Sequence, residues 1–275
     1  MNNLTVRTLS GIGFGAVTLA SLLLNKYLFA AFIMFIMAMM MAEFYKITMG
    51  ESYRLPRTFA IIAGEVLFVL VFLLSAFHIH VAYLSLAIIP VFAVMVSSLY
   101  AKDKTQYHKF GFVYTGLMYI ALPLSLSNLI AFKDGDLNAT LLLCFFVIIW
   151  CSDVGAYCFG TAFGQKHGKK LFPSISPKKS WIGFWGGIIC AITGVIVLHL
   201  VGLLSIPLIH CIILGAIMHV AGVYGDLYES QWKRMCGVKD SWNFIPGHGG
   251  MLDRFDSALV SMPIGAVYLS LLHLL

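Results

Sequence analysis

Long apolar runs recur from one end of the chain to the other, and no other feature limits its fold so strongly. A helix needs about 20 apolar residues to cross the hydrocarbon core of a bilayer. Runs near that length fall at about 8–24, 27–44, 58–77, 79–99, 110–131, 138–162, 181–203, 207–225 and 255–274. A soluble core could hide one or two of them, but repeated runs have no soluble explanation, because in lipid only helices or closed barrels satisfy the backbone. Composition agrees: of 275 residues 60% are hydrophobic and 11% charged, against about 25% charged in soluble domains. The expectation is an all-α, polytopic integral membrane protein with about nine transmembrane helices. The first run follows Arg7 as a signal peptide would. Leu24-Asn25-Lys26 offers no small-residue cleavage site, however, and a second run begins at once, so the first run reads as a membrane helix.

Basic residues test the threading, since they gather on the cytoplasmic side. With nine spans, one side receives Arg7, Lys46, Arg54, Arg57, Lys102, Lys104, Lys109, Lys166, Lys169, Lys170, Lys178, Lys179, Lys233, Arg234, Lys239 and Arg254. The other side receives Lys26 and Lys133. The asymmetry predicts a cytoplasmic N-terminus and a C-terminus across the membrane. The formal charge of +6 then lies mainly on the cytoplasmic face, where it suits anionic lipid head groups. No basic soluble module is present, which argues against nucleic acid as a partner.

The six cysteines form no CxxC pair, and Cys144, Cys151 and Cys158 recur every seven residues beside one apolar segment. They read as small packing residues. Glu65 and Asp153 stand out as acids inside apolar segments. A charge at mid-bilayer costs at least about 2.5–3.5 kcal/mol, so each needs a partner or a wet cavity. Asp153, among Trp150, Gly155, Ala156 and Tyr157, reads as a residue of a site or its support. Glu65 is isolated and suits a helix–helix hydrogen bond.

Chemistry concentrates in two polar stretches. Between Gly164 and Gly187, Pro173 and Pro177 argue against a continuous helix, and Lys169, Lys170, Lys178 and Lys179 form a cationic cluster. The run Ser176-Pro177-Lys178-Lys179-Ser180 combines hydroxyls with ammoniums that can clasp a phosphate. Gly183, Gly186 and Gly187 suit close helix packing more than ligand approach. From Gly225 to Ser257, Asp226, Glu229, Asp253 and Asp256 could hold a hard cation, which prefers oxygen ligands. Lys233, Arg234, Lys239 and Arg254 could neutralise phosphates, and the glycines after His248 permit close backbone approach. If the eighth helix continues past Gly225, Asp226, Glu229 and Lys233 share one face. Asp253 and Asp256 stand near the start of the last helix, whose dipole tolerates carboxylates. The domain reading is N-terminal transmembrane helices over 1–137 and a catalytic transmembrane region over 138–275, with cytoplasmic loops 164–180 and 226–254.

Ser230, Lys233, Arg234, Lys239, Asp240, Ile245, Pro246, His248, Gly249, Gly250, Asp253, Arg254 and Asp256 together resemble the C-terminal signature of the phosphatidate cytidylyltransferases, or CDP-diacylglycerol synthases. The likeness extends to Gly225-Asp226-Leu227 with Glu229, to Ser176 through Ser180, and to Asp153 with Gly155-Ala156-Tyr157. Over the first 140 residues it is one of hydropathy more than motif. The resemblance implies transfer of CMP from CTP to phosphatidate, giving CDP-diacylglycerol and pyrophosphate. It implies Mg²⁺, with a second cation as an option, and a multi-pass place in the inner (plasma) membrane. Asp226, Asp253 and Asp256 are implied as metal carboxylates. Lys233, Arg234, Lys239, His248 and Arg254 are the catalytic candidates, and Ser176, Lys178, Lys179, Ser180, Ser230, Gly249 and Gly250 the substrate-binding ones. Asp153, Glu229 and Asp240 would support them. CTP, phosphatidate, membrane lipids and a second copy of the chain are the expected partners. Three departures from the pattern, Trp232, Trp242 and Ile182, bear on rate and pocket more than on fold. The alternatives are a CTP-dependent polyprenol or dolichol kinase, an ion-coupled transporter using Glu65 and Asp153, and an inactive relative.

Overall fold

The computed structural model describes residues 3–50, 53–101, 107–165, 168–242 and 249–275, with residues 3–10 and 12 described by backbone alone. The helical segments are α1 (Asn3–Leu24), α2 (Lys26–Met49), α3 (Arg54–Phe77), α4 (Val81–Tyr100), α5 (Tyr107–Ala131), α6 (Thr140–Gly164), α7 (Trp181–Leu200), α8 (Leu208–Met235) and α9 (Leu252–Leu271). Two short antiparallel hairpins interrupt them: β1 (Phe132–Lys133) with β2 (Asp136–Leu137), and β3 (Lys170–Phe172) with β4 (Ser176–Ser180). The chain is thus an α-helical, multi-pass membrane protein. Among the described residues seven helices, α2 to α8, are long and apolar enough to span, against nine expected. The apolar stretch described in α1 is shorter, Gly13–Leu24, and α9 opens with Asp253, Arg254 and Asp256, which dilute its apolar character.

Local sequence explains the breaks. Asn25 ends α1 and caps α2, its Oδ1 accepting the Tyr27 N–H at 2.8 Å. Asp134-Gly135, both at positive φ, form the two-residue turn between β1 and β2. Ser180 ends β4 and caps α7 by accepting the Gly183 N–H at 3.2 Å.

The chain forms two compact units, Met1–Ala139 with Met235–Phe255, and Thr140–Arg234 with Asp256–Leu275. The core of the first is α2, apolar around its whole circumference and therefore buried on several sides. Phe29, Ile36, Met37, Met40, Met41 and Tyr45 are fully enclosed. Gly116 makes room for Tyr45, whose hydroxyl donates to the Val113 carbonyl at 2.9 Å. In the second unit glycines let α6 and α7 pack backbone to backbone. A Cβ on Gly183 would meet the Ala156 carbonyl oxygen at 2.8 Å, and one on Gly186 would meet the Phe159 Cβ at 2.4 Å. These glycines therefore serve helix packing. All six cysteines are free thiols; Cys144 and Cys211 are buried, and Cys151 and Cys190 sit against Gly194 and Gly155.

Candidate active site

In the second unit α8 runs unbroken past Gly225 to Met235. Asp226, Glu229, Ser230, Lys233 and Arg234 are therefore helical residues on its last three turns. Ser230 Oγ donates to Asp226 Oδ1 at 3.2 Å, one helical turn back. Lys179, on β4, places its Nζ 2.6 Å from Asp226 Oδ2 and 3.5 Å from the Val223 carbonyl oxygen. The hairpin thus rests on α8, with the Phe172 ring edge-on to Tyr224.

Gly225 allows α9 to approach at this level: a Cβ there would lie 2.7 Å from the Asp256 carbonyl oxygen. The consequence is electrostatic. Asp256 stands in the field of Asp226, Asp153 and Lys179, and Asp153 in that of Asp226 and Lys179. Carboxyl groups on α6, α8 and α9 thus lie within one another's field, and the Lys179 ammonium pairs with that of Asp226. The donors are all oxygens, as a hard cation requires. Among the described residues no trio of His, Cys, Asp or Glu stands at ligating separation, and Asp226 is held by Lys179 and Ser230. Asp226 and Asp256 are the carboxylates of this cluster that could hold a hard cation.

The other expected residues of this unit have definite places. Lys233 pairs with Glu229 at 2.5 Å, and Glu229 is 1% exposed. Arg234 is exposed at the end of α8. Lys178 is exposed on β4, and its carbonyl accepts from Gln165 Nε2 at 3.0 Å. Ser176 pairs with Phe172 across the hairpin, whereas Ser180 is buried as the α7 cap. Two of the departures from the family pattern also find partners here. Ile182 packs near Gly164 and Gly168, and the Trp232 ring meets Tyr228 edge-on at 5.7 Å.

The first unit holds the rest. Lys239, Asp240 and Arg254 are exposed; His248 lies outside the described residues. Asp253, in the first turn of α9, accepts the Ser241 N–H at 3.0 Å and the Gly250 N–H at 2.9 Å on Oδ2, and Ser241 also reaches Oδ1 at 3.2 Å. The glycines follow from this closure. Gly249 has φ +89, and a Cβ on Gly250 would fall 1.9 Å from Ser241 Oγ. The ring of Trp242 lies under the Lys46 ammonium, 3.3 Å from its centroid.

Two polar residues escaped the sequence reading. Glu43 is buried on α2 and accepts the Met251 N–H on Oε1 and the Leu252 N–H on Oε2, each at 2.9 Å. It lies inside the second apolar run, so the signal that singled out Glu65 and Asp153 applied to it as well. His219, 1% exposed, meets Ser152 Oγ at 2.7 Å through Nδ1. A lone histidine in an apolar helix carries no signal of such a partner. Glu65 has buried oxygens, and neither has a hydrogen-bond partner among the described residues, so the helix–helix bond expected of it is not among those seen.

A multi-pass helical membrane protein that gathers carboxyl groups from α6, α8 and α9 beside a lysine of the β3–β4 hairpin has the outline of an enzyme for anionic substrates. The chain belongs to the cytidylyltransferase family, whose model matches residues 5–272. It is similar to the phosphatidate cytidylyltransferase of Bacillus subtilis (strain 168), 36% identical over 184 residues, covering 66% of each chain. It is likewise similar to that of Pseudomonas aeruginosa, 37% identical over 153 residues and 55% of each chain. With that of Haemophilus influenzae it is 46% identical over 129 residues, covering 45% of this chain and 43% of the relative. The chain thus spans less than two thirds of the length of these curated relatives.

Proposed function

We propose that the chain transfers CMP from CTP to phosphatidate, forming CDP-diacylglycerol and pyrophosphate. The family match over residues 5–272, which includes the Asp153, Asp226, Asp256 and Lys179 cluster, carries the reading. The name shared by the similar proteins supports phosphatidate as the acceptor.

The chemistry asks for little proton transfer. The phosphate of phosphatidate is already an oxyanion near neutral pH; its oxygen bonds to the α-phosphorus of CTP as the bond from that phosphorus to the bridging oxygen breaks, and pyrophosphate leaves with the electron pair. The barrier is the approach of one anion to another, so the protein must neutralise charge and align the groups. Lys179, oriented by Asp226, and the neighbouring Lys178 and Ser176 are suited to a phosphate. Lys233 and Arg234 lie on the last turns of α8, where a leaving pyrophosphate can be met by cations. Asp226 and Asp256 would hold Mg²⁺, with Asp153 in support, and a second cation remains part of this proposal. The metal, when bound, supplies charge neutralisation and phosphate alignment. Asp253 enters through Ser241 and Gly250, whose amides it binds. The bias of basic residues supports an inner-membrane protein with its N-terminus and these loops on the cytoplasmic side. CTP would then arrive from water while the acyl chains stay in the bilayer.

Purified protein given phosphatidate and CTP labelled at either the α- or the γ-phosphate tests the reading. Label from the α-phosphate should enter the lipid and label from the γ-phosphate should not. The reverse pattern with a polyprenol acceptor would make the protein a lipid kinase.

A further inference from the structure

Glu43 is an acid near the C-terminal end of the largely apolar helix α2, 2% exposed, where an unpaired carboxylate would be costly. It is instead fully engaged. Oε1 accepts Met251 N–H at 2.9 Å; Oε2 accepts Leu252 N–H at 2.9 Å and Ser241 Oγ–H at 3.0 Å. The amides of Met251 and Leu252 stand at the N-terminus of α9, where they have no intrahelical partner and where negative charge is favoured. Asp253 binds Ser241 as well, together with Gly250, through their N–H groups. One carboxylate takes the hydroxyl of Ser241 and the other its amide. Lys46, one turn beyond Glu43 on α2, covers the ring of Trp242.

We propose that Glu43 is a positioning residue: with Asp253 it clasps Ser241 to the Gly250–Leu252 segment and so fixes the first turn of α9, which carries Asp253 and Arg254. The role in turnover rests on the proposed cytidylyl transfer; the clasp itself does not. A glutamine at position 43 keeps the shape but turns one oxygen into a donor facing donors, so at least one of the three bonds is lost.

The test measures hydrogen exchange and steady-state kinetics on full-length protein, comparing wild type with Glu43→Gln, Ser241→Ala and the double variant. Glu43→Gln should speed amide exchange in peptides covering 250–253 by about tenfold or more, the equivalent of one lost charged hydrogen bond, and leave peptides of α3 unchanged. At temperatures where the variant is fully folded, kcat should fall about tenfold or more, with KM for CTP within about twofold of wild type, as for a group acting on the transition state alone. Ser241→Ala, which removes one bond and is the milder change, should show the same pattern at smaller amplitude. The double variant should lose less than the product of the two single effects. Unchanged exchange at 250–253 would overturn the clasp, and faster exchange with wild-type kcat would overturn the positioning role. If wild-type protein transfers no CMP, the functional reading fails by itself, and the exchange result still decides the clasp.

Discussion

Gly250→Ala probes the loop by adding one methyl group. The new Cβ would lie 1.9 Å from Ser241 Oγ, 2.6 Å from Glu43 Oε2 and 2.9 Å from the backbone nitrogen of Trp242. The serine hydroxyl can rotate away, but only by leaving Glu43, and a hydrogen bond to a charged group contributes about 1.5–3 kcal/mol. The Glu43 oxygen must retreat as well, straining its bond to Leu252, and overpacking of a filled site costs about 1–3 kcal/mol. Together these give about 2.5–6 kcal/mol, reaching the lower end of total stability for a folded domain. The loop should open before the protein unfolds, because the strain is confined to the segment bound by Glu43 and Asp253. Exchange at 249–253 should therefore rise far more than exchange in α2, and CMP transfer should fall by at least about a hundredfold. Adding Ser241→Gly to Gly250→Ala removes the 1.9 Å contact and should restore part of the activity. Wild-type exchange and activity in Gly250→Ala would refute the packing argument. Loss of activity with no recovery on adding Ser241→Gly would show that the contact with Ser241 is not the one that matters.

Ser152→Ala should lower the thermal midpoint, since it leaves His219 Nδ1 buried without its 2.7 Å partner, at about 1–3 kcal/mol; an unchanged midpoint in scanning calorimetry would count against that bond. Lys179→Met should separate activity from stability. Its pair with Asp226 is partly exposed, 24% and 34%, so stability should move by no more than about 1 kcal/mol. Loss of a cation that meets developing phosphate charge should nevertheless lower kcat/KM for CTP by about a hundredfold, read by initial rates at several CTP concentrations.

Much of the helical layout was legible because a bilayer imposes its length on apolar runs. The extension of α8 was legible only as a condition: residues 226–254 read as a loop, and Asp226, Glu229 and Lys233 would share one face if the helix continued past Gly225, as it does to Met235. The end of α2 was less so. Hydropathy stops near Phe44 because Lys46 looks like the start of a loop, yet the helix continues to Met49. The partners of Glu43 and Lys46, Ser241 and Trp242, lie almost two hundred residues away, and no local pattern announces such a pairing. For the same reason the sequence could suggest that Asp253 is a carboxylate of consequence without showing the Ser241 and Gly250 amides it binds. The β3–β4 hairpin was visible only as an objection to helix raised by Pro173 and Pro177. Its pairing depends on where Ser180 begins the next helix.

The most direct test of the proposed chemistry is the rate of Mg²⁺-dependent transfer of α-phosphate label from CTP to phosphatidate, measured for wild type beside Asp256→Asn. Wild type should show transfer that chelation abolishes, and the variant, matched for folding by thermal midpoint, should be slower by at least about a hundredfold. Transfer by Asp256→Asn at the wild-type rate and with the wild-type Mg²⁺ dependence would contradict the assignment of the carboxylate cluster as the site of reaction.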